Sequence, residues 1–553
     1  MGRLLVLVAF VHIAGYSASI GFAADPSFAE KAAQRLSEVT KGDSSGLAVL
    51  VARDGEILFQ GGYGLADVEK KTPITPETKF RIGSISKQFT AVAVLKLAEQ
   101  GKLSLDDSLA KYFPDFPGGD KVKLQQLLTH TSGLHSYTDK PEFIGRVKEP
   151  INPDELIAWF QNDKPDFAPG EGFHYNNSAY FLLGEIVAKV SGKSLAEHLK
   201  ETVFDPLEMA NTGIYMNSAA PEGMAYSYSF VNEKFEPALD WDMSWAGGAG
   251  AIYSTVGDLF RWNEALFGGR VLSEASLKAA TTPVELPPNV DGMSYGYGLM
   301  MLSVKRLPAV GHGGGLNGWS TYLVRLPEQK CTVVVLANAL PLPPAHSPSA
   351  IAHGLAERLL ADEIQKLPPL AEDKSIDSKT FADYVGRFDH QGGIMTVSVE
   401  GDEIFSQITG QPQHRIYPLG KDTFFWKVAD AEVKFIRDEK GQVIAARHSQ
   451  NGSTFRAAKI PDDAVKLTAE QVEPFVGQYQ YGPLALMTVS RDGAQLFAQL
   501  TGQPKFPIFP RSETEFEWRV VAASVKFSKG DDGKVTKAIH SQNGTTFDAP
   551  KVK

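Results

Sequence analysis

The segment Ser84-Ile-Ser-Lys87-Gln-Phe-Thr-Ala-Val-Ala-Val-Leu-Lys-Leu-Ala-Glu-Gln-Gly101 opens on a serine and closes on a glycine. Between them apolar residues recur with helical spacing, and Gly101 is a stop signal. Ser84 and Lys87 stand three apart and share one helix face, so the lysine amine can reach the serine hydroxyl. The helix N-terminus also places free backbone N–H groups and a positive partial charge beside that hydroxyl. A serine activated by a neighbouring base is the working unit of covalent acyl transfer. The pattern is short, and it recurs at Ser108-Leu-Ala-Lys111 in polar sequence that runs into Tyr-Phe-Pro. Context must therefore choose between the two.

Outward from this helix, residues 25–365 mix helical and extended patterns. Helices are expected over 28–40, 87–100 and 179–190. Strands at 47–52 and 57–60 flank Arg53-Asp-Gly55, a hairpin signal with Asp-Gly in the turn. A second strand pair is expected at 321–325 and 332–337. Strands at both ends with helices between predict an α+β domain.

Two further motifs follow in order. Tyr175-Asn-Asn177 comes after Pro169-Gly-Glu-Gly172 and leads into the helix at 179–190. His312-Gly-Gly314 lies in a glycine-rich approach to the second strand pair. Each has a rival, Tyr215-Met-Asn217 and His390-Gln-Gly392, but neither rival has this context. A different hydrolase reading starts from Gly42-Asp-Ser-Ser-Gly46 and His312-Gly-Gly-Gly315. It fails because a nucleophile elbow needs a strand before its serine and a helix after it, and here the order is inverted.

With these motifs the chain resembles the penicillin-recognising serine hydrolases, a group including class C β-lactamases, DD-peptidases, family VIII esterases and D-aminopeptidases. The resemblance spans residues 30–355 and includes Leu127-Leu-Thr-His-Thr-Ser-Gly133, Phe204-Asp-Pro-Leu207 and Gly311-His-Gly-Gly-Gly-Leu-Asn-Gly-Trp319. It implies that Ser84 is acylated and that Lys87 and Tyr175 share its proton. It also implies that Asn177 positions Lys87 and the acyl group, and that the N–H groups of Ser84 and Gly315 hold the oxyanion. Lys and Tyr ordinarily titrate near 10, so one of them must be shifted to act as a base at neutrality. Where β-lactamases carry Lys-Thr-Gly, this chain has His312-Gly-Gly314, the form seen in D-aminopeptidases and some esterases. Histidine is mostly neutral near pH 7, so that position offers no permanent charge to a substrate carboxylate. His130 reads as structural, and Trp241-Asp-Met-Ser-Trp245 as either pocket wall or core.

The C-terminal third repeats itself. Tyr384-Val-Gly-Arg-Phe388 returns as Phe475-Val-Gly-Gln-Tyr479, Met395-Thr-Val-Ser398 as Met487-Thr-Val-Ser490, and His448-Ser-Gln-Asn-Gly452 as His540-Ser-Gln-Asn-Gly544. Each copy is a run of short alternating segments broken by turn residues, which predicts a small eight-stranded antiparallel barrel. The shared His-Ser-Gln-Asn-Gly reads as a turn kept by duplication. Expected boundaries are 25–365 for the catalytic domain, a Pro- and charge-rich linker at 366–379, and barrels at 380–460 and 466–553. This architecture is most similar to the D-aminopeptidase branch, whose two barrels imply that a barrel loop can approach the active-site mouth.

Composition narrows the function further. The 553 residues are 43% hydrophobic and 22% charged, an ordinary globular balance. The formal charge of −10, with no basic block, argues against nucleic acid. The single cysteine, Cys331, rules out an intrachain disulfide or a Cys-based metal centre and reads as a buried strand thiol. Arg3, an apolar run over 4–14, and Ala23-Ala24 before Asp25 read as a cleaved secretory signal peptide, with the product periplasmic or secreted. No membrane span, metal or organic cofactor is expected. The partner is a small peptide, amide or ester substrate; a homodimer is carried as an expectation that no motif specifies. Inside the class the alternatives are a D-aminopeptidase or related peptidase, a carboxylesterase with weak β-lactam turnover, and a slowly deacylating β-lactam or cell-wall binding protein.

Overall fold

The computed structural model describes residues 26–553 apart from 41–43, 216–219, 232–233, 288–289, 291–292, 391–392, 410, 439, 451–452, 462–464, 483–484, 502, 504, 519–522, 531, 543–544 and 553. The expected signal peptide at 1–24 lies outside the described residues. So do the Asn-Gly pairs of the repeated motif and parts of the competing motifs at 42–43, 216–217 and 391–392.

The catalytic domain is built on a six-stranded antiparallel sheet of β1 (Leu47–Arg53), β2 (Glu56–Tyr63), β3 (Met300–Val304), β4 (Leu307–Leu316), β5 (Trp319–Leu326) and β6 (Cys331–Ala337). Their order is β3-β4-β5-β6-β1-β2. Strand alternation sends side chains to opposite faces. In β1, Ala48, Leu50 and Ala52 join one core cluster, while Leu47, Val49 and Val51 join another. Both faces of the central strands are thus covered, which is why β1 and β6 read as continuous apolar runs. The hairpin turn between β1 and β2 is Asp54-Gly55, both at positive φ, as the sequence signal requires.

Helices α1 (Pro26–Val39) and α5 (Pro348–Leu359) cover one face, with Phe28, Leu36, Ile351 and Leu355 buried against it. The other face carries the larger core, including α2 (Ser86–Glu99), α3 (Asn177–Ser191) and α4 (Val256–Phe267). Helix α2 is buried on every side from Ser86 to Leu95, so it is the central helix of this layer rather than an amphipathic one. It stops at Gly101, whose φ of 68° accepts the left-handed turn. Cys331 is buried in β6, and burial pushes its thiol up to about 12. Helix α6 (Ala361–Lys366) then leads away from the domain, with Ile364 and Leu367 resting on the outer core.

The C-terminal third forms two eight-stranded antiparallel units. The first closes into a barrel, with Gly386–His390 pairing with Ser453–Ile460. The second runs from Gly477–Gly482 to Thr545–Pro550, and its ends meet through a bridge between Tyr479 and Lys551. Phe388, Val433 and Phe435 fill the first barrel, and Tyr479, Val525 and Phe527 take the repeat-related places in the second. Ile394, Ile460 and Phe509 form a small apolar cluster joining the two. The first barrel meets the catalytic domain at the β3–β4 turn. There Lys305 lies 3.5 Å from Asp430, and Arg306 donates to the carbonyl of Pro368 at 2.7 Å.

Candidate active site

Ser84 stands in a tight turn, Gly83–Ile85, that runs directly into α2. Gly83 takes a φ of 54°, and a Cβ on it would lie 2.9 Å from the amide nitrogen of Gly315. The Ser84 turn and the end of β4 therefore touch backbone to backbone. The glycine run that reads as an approach to a strand pair is part of β4 itself. The reason is contact: a Cβ on Gly314 would fall 1.9 Å from the carbonyl oxygen of Ile82. Thr321 on β5 ties the two together by donating from Oγ1 to that same carbonyl at 2.9 Å.

Lys87 lies one turn into α2 and is fully buried. Its Nζ is 3.1 Å from Ser84 Oγ, 2.8 Å from Asn177 Oδ1 and 2.9 Å from the carbonyl of Ala249. Burial drives its pKa well below the usual lysine value. Once deprotonated, Lys87 would have two hydrogens for the oxygens of Asn177 and Ala249 and a lone pair for the serine hydroxyl. Asn177 opens α3, whose N-cap Asn176 accepts from the Ala179 amide at 2.8 Å. The Asn177 amide is oriented by donating from Nδ2 to Thr138 Oγ1 at 3.0 Å.

Tyr175 is half-buried beside this pair with its hydroxyl enclosed, and Lys87 Nζ lies 4.7 Å from its ring centre. Burial raises its pKa, and the nearby serine hydroxyl offsets part of the rise. Among the described residues its hydroxyl makes no hydrogen bond within 3.5 Å. His312 sits behind Tyr175, with 6.0 Å between ring centres. Its Nδ1 is 2.5 Å from the Gly313 carbonyl, which can only accept, so Nδ1 carries the proton and Tyr295 donates its hydroxyl to Nε2 at 2.8 Å. Burial, with Lys87 nearby, pushes the His312 pKa down to about 3.

Ser84, Asn177 and Gly315 open onto a cavity of about 230 Å³. Tyr137, Phe143, Trp241, Trp245 and Leu316 supply apolar walls, and Asp242 is the charged side chain among its described lining. The structure thus brings Ser84, Lys87, Tyr175, Asn177 and Gly315 to one point. Gly314 gives them their close approach, and His312 stands behind them out of the cavity. Residues 29–357 match the family model described as Beta-lactamase.

The chain belongs to the beta-lactamase family.

Members of this family are generally serine hydrolases. Residues 370–456 and 461–549 each match a domain of unknown function (DUF3471). The chain is similar to Penicillin-binding protein 4* of Bacillus subtilis, 30% identical over 417 residues that make up 71% of this chain and 90% of that protein. Among solved structures it is similar to an octameric penicillin-binding protein homologue from Pyrococcus abyssi. That match is 27% identical with a TM-score of 0.54, over 77% of this chain and 99% of that one. It is also similar to D-amino acid amidase from Ochrobactrum anthropi SV3 complexed with L-phenylalanine, 25% identical with a TM-score of 0.52. That match covers 61% of this chain and 98% of the amidase chain.

The competing motifs of this beta-lactamase-family chain separate on geometry. The ammonium of Lys111 is held by Asp107 at 2.8 Å and turns to no serine. His390 lies in the first barrel, stacked edge-on against His448. Sequence reasoning missed Thr138, which orients Asn177, and Tyr295, which fixes the His312 tautomer. No local pattern marks either, because their partners lie 39 and 17 residues away. It flagged the run from Trp241 to Trp245 without deciding its role. Both tryptophans line the cavity, and Trp245 is buried as well.

Proposed function

We propose that the chain is an exported serine hydrolase that cleaves amide or peptide bonds through a Ser84 acyl-enzyme. Its substrates contain D-amino acids. The observation that carries this reading is the buried Lys87 amine 3.1 Å from Ser84 Oγ, within the reach a general base needs. Burial depresses the lysine and raises the tyrosine, so the neutral amine is the available base and Tyr175 stays protonated near neutrality.

In the first half-reaction Ser84 Oγ attacks the substrate carbonyl and its proton passes to Lys87 Nζ. The carbonyl oxygen, now anionic, is held by the N–H groups of Ser84 and Gly315. Collapse expels the amine, which takes its proton from Lys87 through the Tyr175 hydroxyl, leaving the serine ester. Water then attacks that ester and gives its proton to the same base, which passes it to Ser84 Oγ as the carboxylic acid leaves. No step calls for a metal or organic cofactor.

His312 supports this substrate class over one with a terminal carboxylate. Held neutral by burial, it gives the site no cation where β-lactamases place a lysine. The same neutrality, with apolar walls, suits an uncharged ester, so a carboxylesterase is the second reading. Initial rates on D-alanyl and L-alanyl p-nitroanilide and a short-chain p-nitrophenyl ester, with Ser84→Ala as control, separate them. Cleavage of the D-amide, lost in Ser84→Ala, supports the proposal; turnover of the ester alone replaces it with the esterase. An acyl group retained for many minutes points instead to a β-lactam or cell-wall sensor. Export is tested by N-terminal sequencing of the mature protein, which should begin at Asp25.

A further inference from the structure

The cavity beside Ser84 is apolar except at three places: the reacting groups, Thr138 and Asp242. Asp242 is held rigidly. Its amide donates to the Val147 carbonyl at 2.9 Å, and its Oδ1 accepts from the Ser244 amide at 3.0 Å and the Ser244 hydroxyl at 2.5 Å. The preceding residues are fixed from the nucleophile side. Buried Arg81, three residues before Ser84, reaches Asp240 at 2.7 Å and the Trp241 carbonyl at 3.2 Å. Arg81 is therefore spent on Asp240, and no lysine, arginine or histidine within ion-pair distance compensates Asp242 among the described residues. Its second oxygen, Oδ2, has no hydrogen-bond partner there either.

An uncompensated carboxylate in an aromatic pocket is a receptor for a cation bonded to an apolar group. The volume sets the size of that group. An apolar cavity of about 150 Å³ is known to take a benzene ring, so about 230 Å³ admits one aromatic or branched side chain with an ammonium beside it. We infer that Asp242 receives the free α-ammonium of the substrate, and that the ligand class is an α-amino-acid amide, or a peptide with an unblocked N-terminus and an apolar first residue. The tryptophan and phenylalanine walls take the side chain. N-acylated or carboxylate-bearing acyl groups are disfavoured, since each would leave Asp242 desolvated with no partner or facing a like charge.

This inference rests on the reading of Ser84 as the nucleophile of this cavity, but its test does not require turnover. Isothermal titration of the full chain with 2-phenylethylamine and with 3-phenylpropionate compares the same ring carrying opposite charges. The amine is expected to bind at least about tenfold more tightly than the acid, and Asp242→Asn should bring the two to within about threefold. The asparagine keeps the oxygen that accepts from Ser244, so the loop retains its anchor. Equal affinity for the two ligands, no amine binding at low-millimolar concentration, or an amine preference that survives Asp242→Asn overturns the inference. If Asp242→Asn does not fold, the wild-type ratio of amine to acid still decides. Loss of hydrolysis in Ser84→Ala bears on the hydrolase reading alone, and the titration can be repeated on that variant.

Discussion

Gly313 and Gly314 are neighbours in β4, but their surroundings differ. A Cβ on Gly314 would stand 1.9 Å from Ile82 O and 2.3 Å from Thr321 Oγ1, whereas one on Gly313 would meet nothing closer than 3.5 Å. Gly314→Ala should push β4 off the nucleophile turn and cost about 10²–10³ in kcat, the scale of losing an oxyanion donor. Gly313→Ala should keep kcat within about threefold; equal losses in the two variants would refute the contact argument. Lys87→Arg puts a fixed cation where a neutral amine is needed and cannot deprotonate, so kcat/KM should fall by about 10²–10⁴. In the wild type, kcat/KM should rise with pH through the depressed lysine pKa and level off before the usual lysine range. Stability should respond to acid as well. His312 at about 3 and His130, pushed well below its ordinary value by burial, both bind fewer protons folded than unfolded. Their stabilisation is full above about pH 6.5 and is lost as pH falls toward the folded values, by about 1.4 kcal/mol per pH unit for each histidine. Urea midpoints at pH 7 and pH 5 should show this. His312→Gln, whose amide oxygen can accept from Tyr295, should remove about one proton from the slope.

At the scale of elements, the start of α3 joins a helix cap to the proposed base. Asn176 caps the helix through Ala179 and donates from Nδ2 to the Leu134 carbonyl, and the next residue is the Asn177 that holds Lys87. Asn176→Ala should cost about 1–2 kcal/mol in catalytic-domain stability. It should also lower kcat more than it raises KM, because the acceptor for the lysine loses its anchor. A matching fall in stability with kcat intact would limit Asn176 to a helix cap. This same element explains what could be read from the chain beforehand. Strong periodicity located α2 and α3 to within two residues, and Asp54-Gly55 marked its hairpin, because those signals are local. The glycine run of β4 did not read as strand, since its reason lies in Ile82, which reaches it only through tertiary packing. Tyr295 was silent for the same cause, and Asp242, inside the flagged run from Trp241 to Trp245, drew no role of its own. Tyr295 acts on His312, which it meets only in the folded chain. Asp242 is bonded locally to Ser244, while Arg81 reaches the neighbouring Asp240 and Trp241 from a distant part of the sequence.

For the whole molecule, the question is what two duplicated barrels contribute to a site they do not line. The described lining of the cavity comes entirely from residues between Ser84 and Leu316. The first barrel instead touches the β3–β4 turn, where Lys305 meets Asp430. From Arg306 to Gly315 is nine residues along an extended strand, or about 30 Å at about 3.3 Å per residue. A small amide bound at Ser84 is thus far from that contact, although a long polymer leaving the cavity could extend to it. Ending the chain after Leu367 keeps Ile364 and Leu367 on the outer core and removes both barrels. The shortened protein, with folding checked by circular dichroism, should hold kcat/KM for a dipeptide amide within about threefold of the full chain. Its loss should appear only on long cell-wall peptides. A fall of more than about tenfold on the dipeptide amide would mean that a barrel segment gates the site after all, and the distance argument from β4 would fail with it.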